Sequence, residues 1–382
     1  MSQAIPIAFY APLKSPHDPS PSGDRTMARL LLRALERARF APHLLSTLRT
    51  FDGRGDASLQ ERLCAQSRLE ADRLIQHAHA LPRDQRPRLW FTYHVYYKAP
   101  DWIGPHVADA LGIPYVIAEG SRAMKRARGP WALAHHGAEI ALDRADAVFV
   151  MTAVDQEALQ RVRGARQRLI DLPPFTDAAE WASPSCPAPA VAQGTDRVLR
   201  FLTVAMMRPG DKLASYTILA EALAALGARA WCLDMIGDGD ARAEVERLFS
   251  QFGSRVRFHG EVQDRTRLCE VYRRADIFVW PAVNEAYGMV LLEAQAFGCP
   301  VVAGACGGVP SVVRDGDSGV LTRPGDANAL AQAVMELCDD EDRRRALGIG
   351  AQRFVRGERT LQQAADRLRS ALLPLIAQPA DT

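Results

Sequence analysis

No run of eighteen apolar residues occurs anywhere in the 382-residue chain. The nearest approach, Met289 to Val302, is interrupted by Glu293 and by the Gly298–Pro300 break, so no membrane-spanning helix is expected. The apolar stretch Ile5–Tyr10 ends shortly before Pro12 and has no basic segment ahead of it, which reads as a first strand rather than a signal peptide. The seven cysteines, at 64, 186, 232, 269, 299, 306 and 338, form no CxxC pair and no zinc-ligand spacing. An odd, scattered set in a chain of this size reads as reduced thiols, hence a cytoplasmic protein. Neither a GxxxxGK[ST] phosphate loop nor an HExxH metal motif is present. Charge of one sign is also missing: 47 cationic against 45 acidic side chains leave +2, too little to steer the chain to nucleic acid. Lysine is scarce, with only Lys14, Lys98, Lys125 and Lys212 against 43 arginines. Codon bias explains most of that asymmetry, yet it makes each lysine stand out.

The remainder is ordinary for a globular protein, at 48% hydrophobic and 24% charged, which excludes collagen-like and disordered classes. Short apolar runs alternate with amphipathic stretches, the pattern of parallel sheets with crossover helices. Strands are expected at Ile5–Tyr10, His43–Ser46, Leu89–Thr92, Tyr115–Ala118, Ala147–Val150 and Leu169–Leu172. Helical patterns fall between them, at 25–39, 59–79, 105–111, 130–144 and 154–162. Pro173–Thr195 is rich in Pro, Ala and Ser and reads as a linker. Alternation then resumes with strands at Phe201–Val204, Trp231–Ile236, Val256–Phe258, Ile277–Trp280, Val301–Ala303 and Val320–Leu321. The helices there are expected at 214–226, 241–252, 267–274, 288–297 and 327–338. A final amphipathic segment, Thr360–Leu375, has no strand after it. This is an α/β chain of two Rossmann-like domains with a cleft between them, since open parallel sheets bind ligands at the carboxyl ends of their strands. The expected division is 1–192 with a return helix at 358–382, and 193–357.

Gly237-Asp238-Gly239 follows a strand, but Arg242 stands where a dinucleotide fingerprint needs its third glycine, so hydride transfer is weakly supported. The Asp238–Asp240 and Asp315–Asp317 strings sit in glycine-containing turns and read as turn residues rather than metal clamps. The densest constellation lies between Trp280 and Pro310. A loop there carries Asn284 and Glu285, and Gly288 opens a helix holding Glu293. Amides of Gly288, Met289 and Val290 at a helix start would form a seat for phosphate. If the stretch were all helical the two glutamates would lie about 12 Å apart, longer than a glycosidase pair needs, although the loop before Gly288 could shorten the distance; a capping or salt-bridged Glu293 inside a buried helix is the competing structural role. A second cluster, Met206-Met207-Arg208-Pro209-Gly210-Asp211-Lys212, puts two cations in a strand-to-helix loop at the same end of the sheet, where they could neutralise a diphosphate. Solvated surface charge is the bland alternative, weaker for the rare Lys212.

From Arg208 to Asp326 the chain resembles the donor-binding half of family 4 glycosyltransferases, retaining enzymes of the GT-B fold. The resemblance rests on the Arg208/Lys212 loop, Gly237-Asp238-Gly239, Glu285-x7-Glu293 with Tyr287-Gly288 inside it, Gly307-Gly308 and Asp315-Gly316. The amino half matches more loosely, through Pro21-Ser22-Gly23-Asp24-Arg25 and Asp101-Trp102-Ile103-Gly104-Pro105. The resemblance implies a nucleotide-diphospho-sugar donor in the second domain and a glycan or lipid-linked acceptor against the first. It also implies that the last helix crosses back to the first domain. Carried over, Glu293 would bond the ribose, Glu285 would engage the sugar near its anomeric carbon, and Arg208 and Lys212 would bind the diphosphate. Gly237, Asn284, Tyr287, Gly288, Met289 and Val290 would complete the donor site, and Gly23 would let backbone approach the phosphates. Neither a metal nor a separate cofactor is implied.

Family members often carry a histidine after the fourth strand of the acceptor domain; this chain has Ala118-Glu119-Gly120-Ser121. Either Glu119 takes that polar role or His94 does. Ser311 replaces an acidic residue frequent after Pro310, and the Arg-to-Lys spacing is one residue shorter. Arg122, Lys125, Arg126 and Arg128 form a local basic run. It reads as a solvated loop or, in a sharper form, as contact with an anionic acceptor or with a phospholipid surface as a peripheral membrane protein. The expected activity is retaining, metal-independent sugar transfer, as in polysaccharide or glycolipid biosynthesis. The alternatives are a nucleotide-sugar epimerase or hydrolase on the same fold, and a non-catalytic nucleotide-sugar-binding protein.

Overall fold

The computed structural model describes residues 4–162, 164–165, 167–177 and 198–377. The chain divides into two compact units, Met1–Pro173 with Leu361–Thr382, and Pro174–Thr360. Most of the expected linker, from 178 to 195, and the expected boundary at 192/193 lie outside the described residues.

The first unit is built on β1 (Ile5–Tyr10), β2 (Phe40–Ser46), β3 (Trp90–Val95), β4 (Tyr115–Gly120), β5 (Ala147–Val150) and β6 (Arg168–Asp171), in the order β2-β1-β3-β4-β5-β6. Every pairing is parallel. Helices α1 (Gly23–Arg37), α2 (Ala57–Ala80), α3 (Gly104–Leu111), α4 (Ala132–Arg144) and α5 (Ala153–Gln160) make the crossovers. Because helices cover both faces, the central strands carry side chains that are buried on either side; all six residues of β4 are buried. Ser22 caps α1 by accepting the Arg25 amide, the preferred device at a helix start. Asp101 does similar work ahead of α3. Its Oδ1 accepts the Ile103 and Gly104 amides at 2.9 and 2.7 Å, while Oδ2 takes the Thr92 and Tyr115 hydroxyls. The Asp101-Trp102-Ile103-Gly104 string therefore ties β3, β4 and α3 together.

The second unit holds β7 (Leu199–Val204), β8 (Trp231–Ile236), β9 (Val256–Phe258), β10 (Ile277–Trp280), β11 (Val301–Gly304) and β12 (Gly319–Thr322), in the order β12-β11-β10-β7-β8-β9. These pairings too are parallel. Its helices are α6 (Asp211–Ala224), α7 (Arg242–Phe249), α8 (Arg265–Arg274), α9 (Met289–Ala296), α10 (Ala327–Asp339) and α11 (Glu341–Glu358). The last helix, α12 (Leu361–Ala377), belongs to the first unit and packs on α1.

Several strand bounds and one whole helix differ from the reading of the sequence. Strands β3 and β4 run on past Thr92 and Ala118 to pair Val95 with Gly120, because backbone pairing continues where the apolar run stops at His94 and Glu119. Strand β2 begins at Phe40 rather than His43, admitting Pro42, which an edge strand tolerates. Helix α11 was not expected at all. Its sequence, EDRRRALGIGAQRFVRGE, is crowded with arginine and interrupted by Gly348 and Gly350, both poor helix formers. Those glycines serve packing: a Cβ on Gly350 would lie 1.9 Å from the Asp317 carbonyl oxygen.

Candidate functional site

Chemistry-bearing side chains gather at the carboxyl ends of the strands in each unit. In the second unit the loop from β7 to α6 and the loop from β8 to α7 lie against each other. Met207 donates its amide to Asp238 O, and Ala241 donates to Met207 O, both at 2.9 Å. Gly237 makes this approach possible, since a Cβ there would sit 1.8 Å from the Ala205 carbonyl oxygen, and its φ is 140°. Its own amide donates to Gly260 O. Asp238 accepts the Gly239 amide and pairs with Arg242 at 2.8 Å, within its own turn, whereas Asp317 reaches Arg353 of α11 at 2.6 Å. Among the described residues no group of three His, Cys, Asp or Glu is placed to hold a metal ion.

After β10 the chain turns sharply, with positive φ at Ala282 and Asn284. Ser215 of α6 accepts the Val283 amide at 3.0 Å, and Asn284 Nδ2 donates to Asp211 Oδ2 at 2.9 Å. The turn thereby presents Glu285 to α6. Lys212 Nζ lies 2.5 Å from Glu285 Oε2, which also accepts the Trp280 indole N–H at 3.2 Å. The same ammonium sits 5.4 Å from the Trp280 ring centroid, a cation–π distance. The Lys212 and Glu285 side chains are 25% and 16% exposed, so both remain reachable from solvent. Arg208, on the same loop, is exposed. Helix α9 begins after Gly288 with no side-chain cap, leaving first-turn amides that no intrahelical acceptor can satisfy. Tyr287, just ahead of it in the chain, is buried, and Gly308 donates to Ala286 O, holding the following loop against this one.

Glu293 is a full turn further into α9 and faces a different neighbour. Tyr272 Oη of α8 donates to its Oε2 at 2.8 Å. Burial raises the Glu293 pKa, with the Tyr272 hydroxyl and Arg265 acting in the opposite sense. Lys212, Asn284, Glu285 and the start of α9 are thus one constellation, and Glu293 stands beside it on Tyr272.

In the first unit His94 and Glu119, at the ends of β3 and β4, both take left-handed backbone conformations, with φ of 63° and 62°. Such positions are strained for non-glycine residues and concentrate at functional sites. The two expected alternatives meet: His94 Nδ1 lies 3.5 Å from Glu119 Oε1. It also lies 3.1 Å from Asp24 Oδ1 in the first turn of α1. Burial disfavours the imidazolium, but Glu119 and Asp24 outweigh it and His94 is pushed up to about 9. Burial likewise opposes the Asp24 carboxylate, and His94 overcomes it, so that its pKa is lowered. Gly23, ahead of Asp24, is the first residue of α1. Asp24 was not singled out from the sequence beyond its place in the Ser22-Gly23-Asp24 string; nothing local marks it as the partner of a histidine seventy residues away.

The basic run is not one solvated loop. Arg122 is buried, bonded to Glu139 and, at 2.6 Å, to Asp143 of α4. Arg126 instead lies over the rings of Tyr97 and Trp131.

Residues 199–340 match the family model for glycosyl transferases group 1. The D-inositol 3-phosphate glycosyltransferase of Xylanimonas cellulosilytica is 34% identical over 254 residues, 63% of this chain and 59% of the relative. That of Corynebacterium kroppenstedtii is 50% identical over 84 residues, 22% of this chain and 19% of the relative. The matched stretches therefore span less than two thirds of those relatives. Among solved structures, the sucrose-phosphate synthase of Thermosynechococcus elongatus superposes with a TM-score of 0.75 at 22% identity, covering 98% of this chain and 99% of its own. Anabaena HepE, solved with UDP, gives 0.72 at 18% identity, covering 97% and 100%. The chain carries a glycosyl transferases group 1 domain over residues 199–340 and adopts the GT-B glycosyltransferase fold.

Proposed function

We propose that this protein transfers a sugar from a nucleotide-diphospho-sugar to a glycan or lipid-linked acceptor, with retention at the anomeric carbon and without a metal ion. The observation that carries the reading is the meeting of Lys212 and Glu285 under Trp280 beside the uncapped start of α9. Arg208, Lys212 and the first amides of α9 supply positive charge for a diphosphate, and Glu285 supplies acceptors for sugar hydroxyls and for charge developing at the anomeric carbon. Glu293, fixed by Tyr272, is assigned to the ribose. The solved HepE complexes contain UDP and UDP-glucose, which makes a uridine diphosphate donor the first to test here.

Lys212 Nζ gives one N–H to Glu285 and, as an ammonium with three donors, keeps two for the diphosphate, each charge-assisted bond being worth about 1.5–3 kcal/mol. Glu285 keeps its other oxygen for the sugar while the ammonium holds it in place. As the anomeric C–O bond to the diphosphate breaks, the acceptor oxygen bonds to that carbon on the same face. The acceptor proton passes to a phosphate oxygen of the leaving group. Asp24, His94 and Glu119 supply a charged cluster for the polar groups of the transferred sugar or acceptor. The reading places the reaction in the cytoplasm, with the exposed Lys125 and Arg128 available for peripheral contact with a membrane.

A thermal-shift screen with UDP, GDP, ADP and their sugars tests it, because a ligand that binds the native state raises its stability by mass action. One nucleotide family should raise the unfolding midpoint, and transfer from that sugar should give a product of unchanged anomeric configuration. No shift with any of them overturns donor binding; release of free sugar without an acceptor marks a hydrolase instead.

A further inference from the structure

A second cationic site stands in the first unit, on residues that the donor reading does not use. Between β3 and α3 the chain reads Tyr96-Tyr97-Lys98, and Trp131 precedes α4. The Tyr97 and Trp131 rings meet edge to face, with centroids 5.8 Å apart at 88°. Two cations converge on that pair. Lys98 Nζ is 5.7 Å from each ring, and the Arg126 guanidinium is 5.4 Å from Tyr97 and 5.0 Å from Trp131.

Ring faces hold a cation in place but offer no lone pair to its N–H groups. Arg126 Nε is buried with no hydrogen-bond partner, a state that carries a desolvation penalty until an acceptor arrives. Neither Lys98 nor Arg126 pairs with a carboxylate among the described residues.

The support is rigid. Asp52 donates its amide to Lys98 O at 2.8 Å, and Trp131 Nε1 donates to Asp52 O at 3.2 Å. The Asp52 carboxylate is itself consumed by the amides of Arg54, Gly55 and Asp56 and by Gln60 Nε2. It therefore anchors both halves of the site. From there a run of rings, Trp131 to Tyr97 to Tyr96 to His94, leads to the charged cluster at the end of β3, with centroid steps of 5.8, 5.5 and 4.9 Å.

We propose that Lys98 and Arg126, mounted on Tyr97 and Trp131, bind a phosphate group carried by the acceptor. Two cations with unused donors suit a phosphoryl dianion, which offers several acceptor oxygens at once. The adjoining rings supply apolar faces for the sugar or polyol that bears it. The phosphate site stands on its own geometry; its assignment to the acceptor rests on the transfer reading above.

The test is calorimetric titration of inorganic phosphate into the full chain held with saturating UDP, repeated with Lys98→Gln and Arg126→Gln. Saturable binding, weakened about tenfold or more by each substitution, is expected. Binding by the wild type that neither variant weakens, or no saturable binding, overturns the proposal. Midpoints with UDP alone report separately on the donor site, so its failure is distinguishable. Sedimentation with phosphatidylcholine vesicles, with and without phosphatidate, then identifies the source. Retention on phosphatidate alone, lost in both variants, puts the phosphate on a lipid, whereas phosphate binding without retention puts it on a soluble acceptor.

Discussion

Holding His94 between Asp24 and Glu119 makes the first unit's stability depend on pH in a defined direction. His94 is 14% exposed, and its pKa is pushed up to about 9 against the ordinary 6.5. Burial works against the charge, and the two carboxylates more than offset it. Because the folded value lies above the unfolded one, the stabilisation is complete below about pH 6.5 and is lost as pH rises from there through about 9. The full difference corresponds to about 3 kcal/mol, with the Asp24 contribution counted once as part of the same interaction. Urea unfolding of the full chain at steps between pH 6 and 10 should show that decline, and His94→Gln should remove most of it. Histidine-selective ¹³C labelling reads the same group directly, as one imidazole titrating near pH 9. A His94 resonance titrating near 6.5, or a His94→Gln protein with the wild-type slope, would refute the argument.

Other perturbations follow from single contacts. Gly237→Ala forces a Cβ to 1.8 Å from Ala205 O at a φ of 140°, and should destabilise the second unit by about 3 kcal/mol or more in a denaturant titration. Arg122→Ala strips the partner from Glu139 and Asp143, with the arginine side chain only 3% exposed; a loss of about 3 kcal/mol is expected by the same assay. Tyr272→Phe removes the hydrogen bond to Glu293 and should cost about 1–3 kcal/mol of stability. That variant should also weaken donor binding in calorimetry, because the carboxylate assigned to the ribose loses its support.

Much of the architecture is legible in the chain, since strands buried on both faces must be nearly continuous in apolar residues. Strands β1, β5, β8, β9 and β10 begin and end where the apolar runs do. Where a polar side chain stands at a strand end, as at His94 and Glu119, the pattern stops before the hydrogen bonding does. Helix α11 is hidden for the converse reason: close backbone contact demanded glycine where helix propensity argues against it. Of the site, the second unit's residues lie within short motifs and could be picked out locally. The pairing of Lys212 with Glu285 spans 73 residues, and that of Asp24 with His94 spans 70; only the folded sheet brings such partners together. The phosphate site was visible as no more than a dense string of aromatics and a basic run, and three-dimensional contacts separated Arg122, consumed by carboxylates, from Arg126, held open on rings.

The most direct test of the account is steady-state sugar transfer from the nucleotide-sugar that binds, measured for purified wild type, Lys212→Ala and Glu293→Ala with folding verified by circular dichroism. The constellation at α6 and α9 predicts that the wild type transfers and that each folded variant loses at least about a hundredfold in rate. Full activity in either folded variant would contradict the assignment of these residues to the donor.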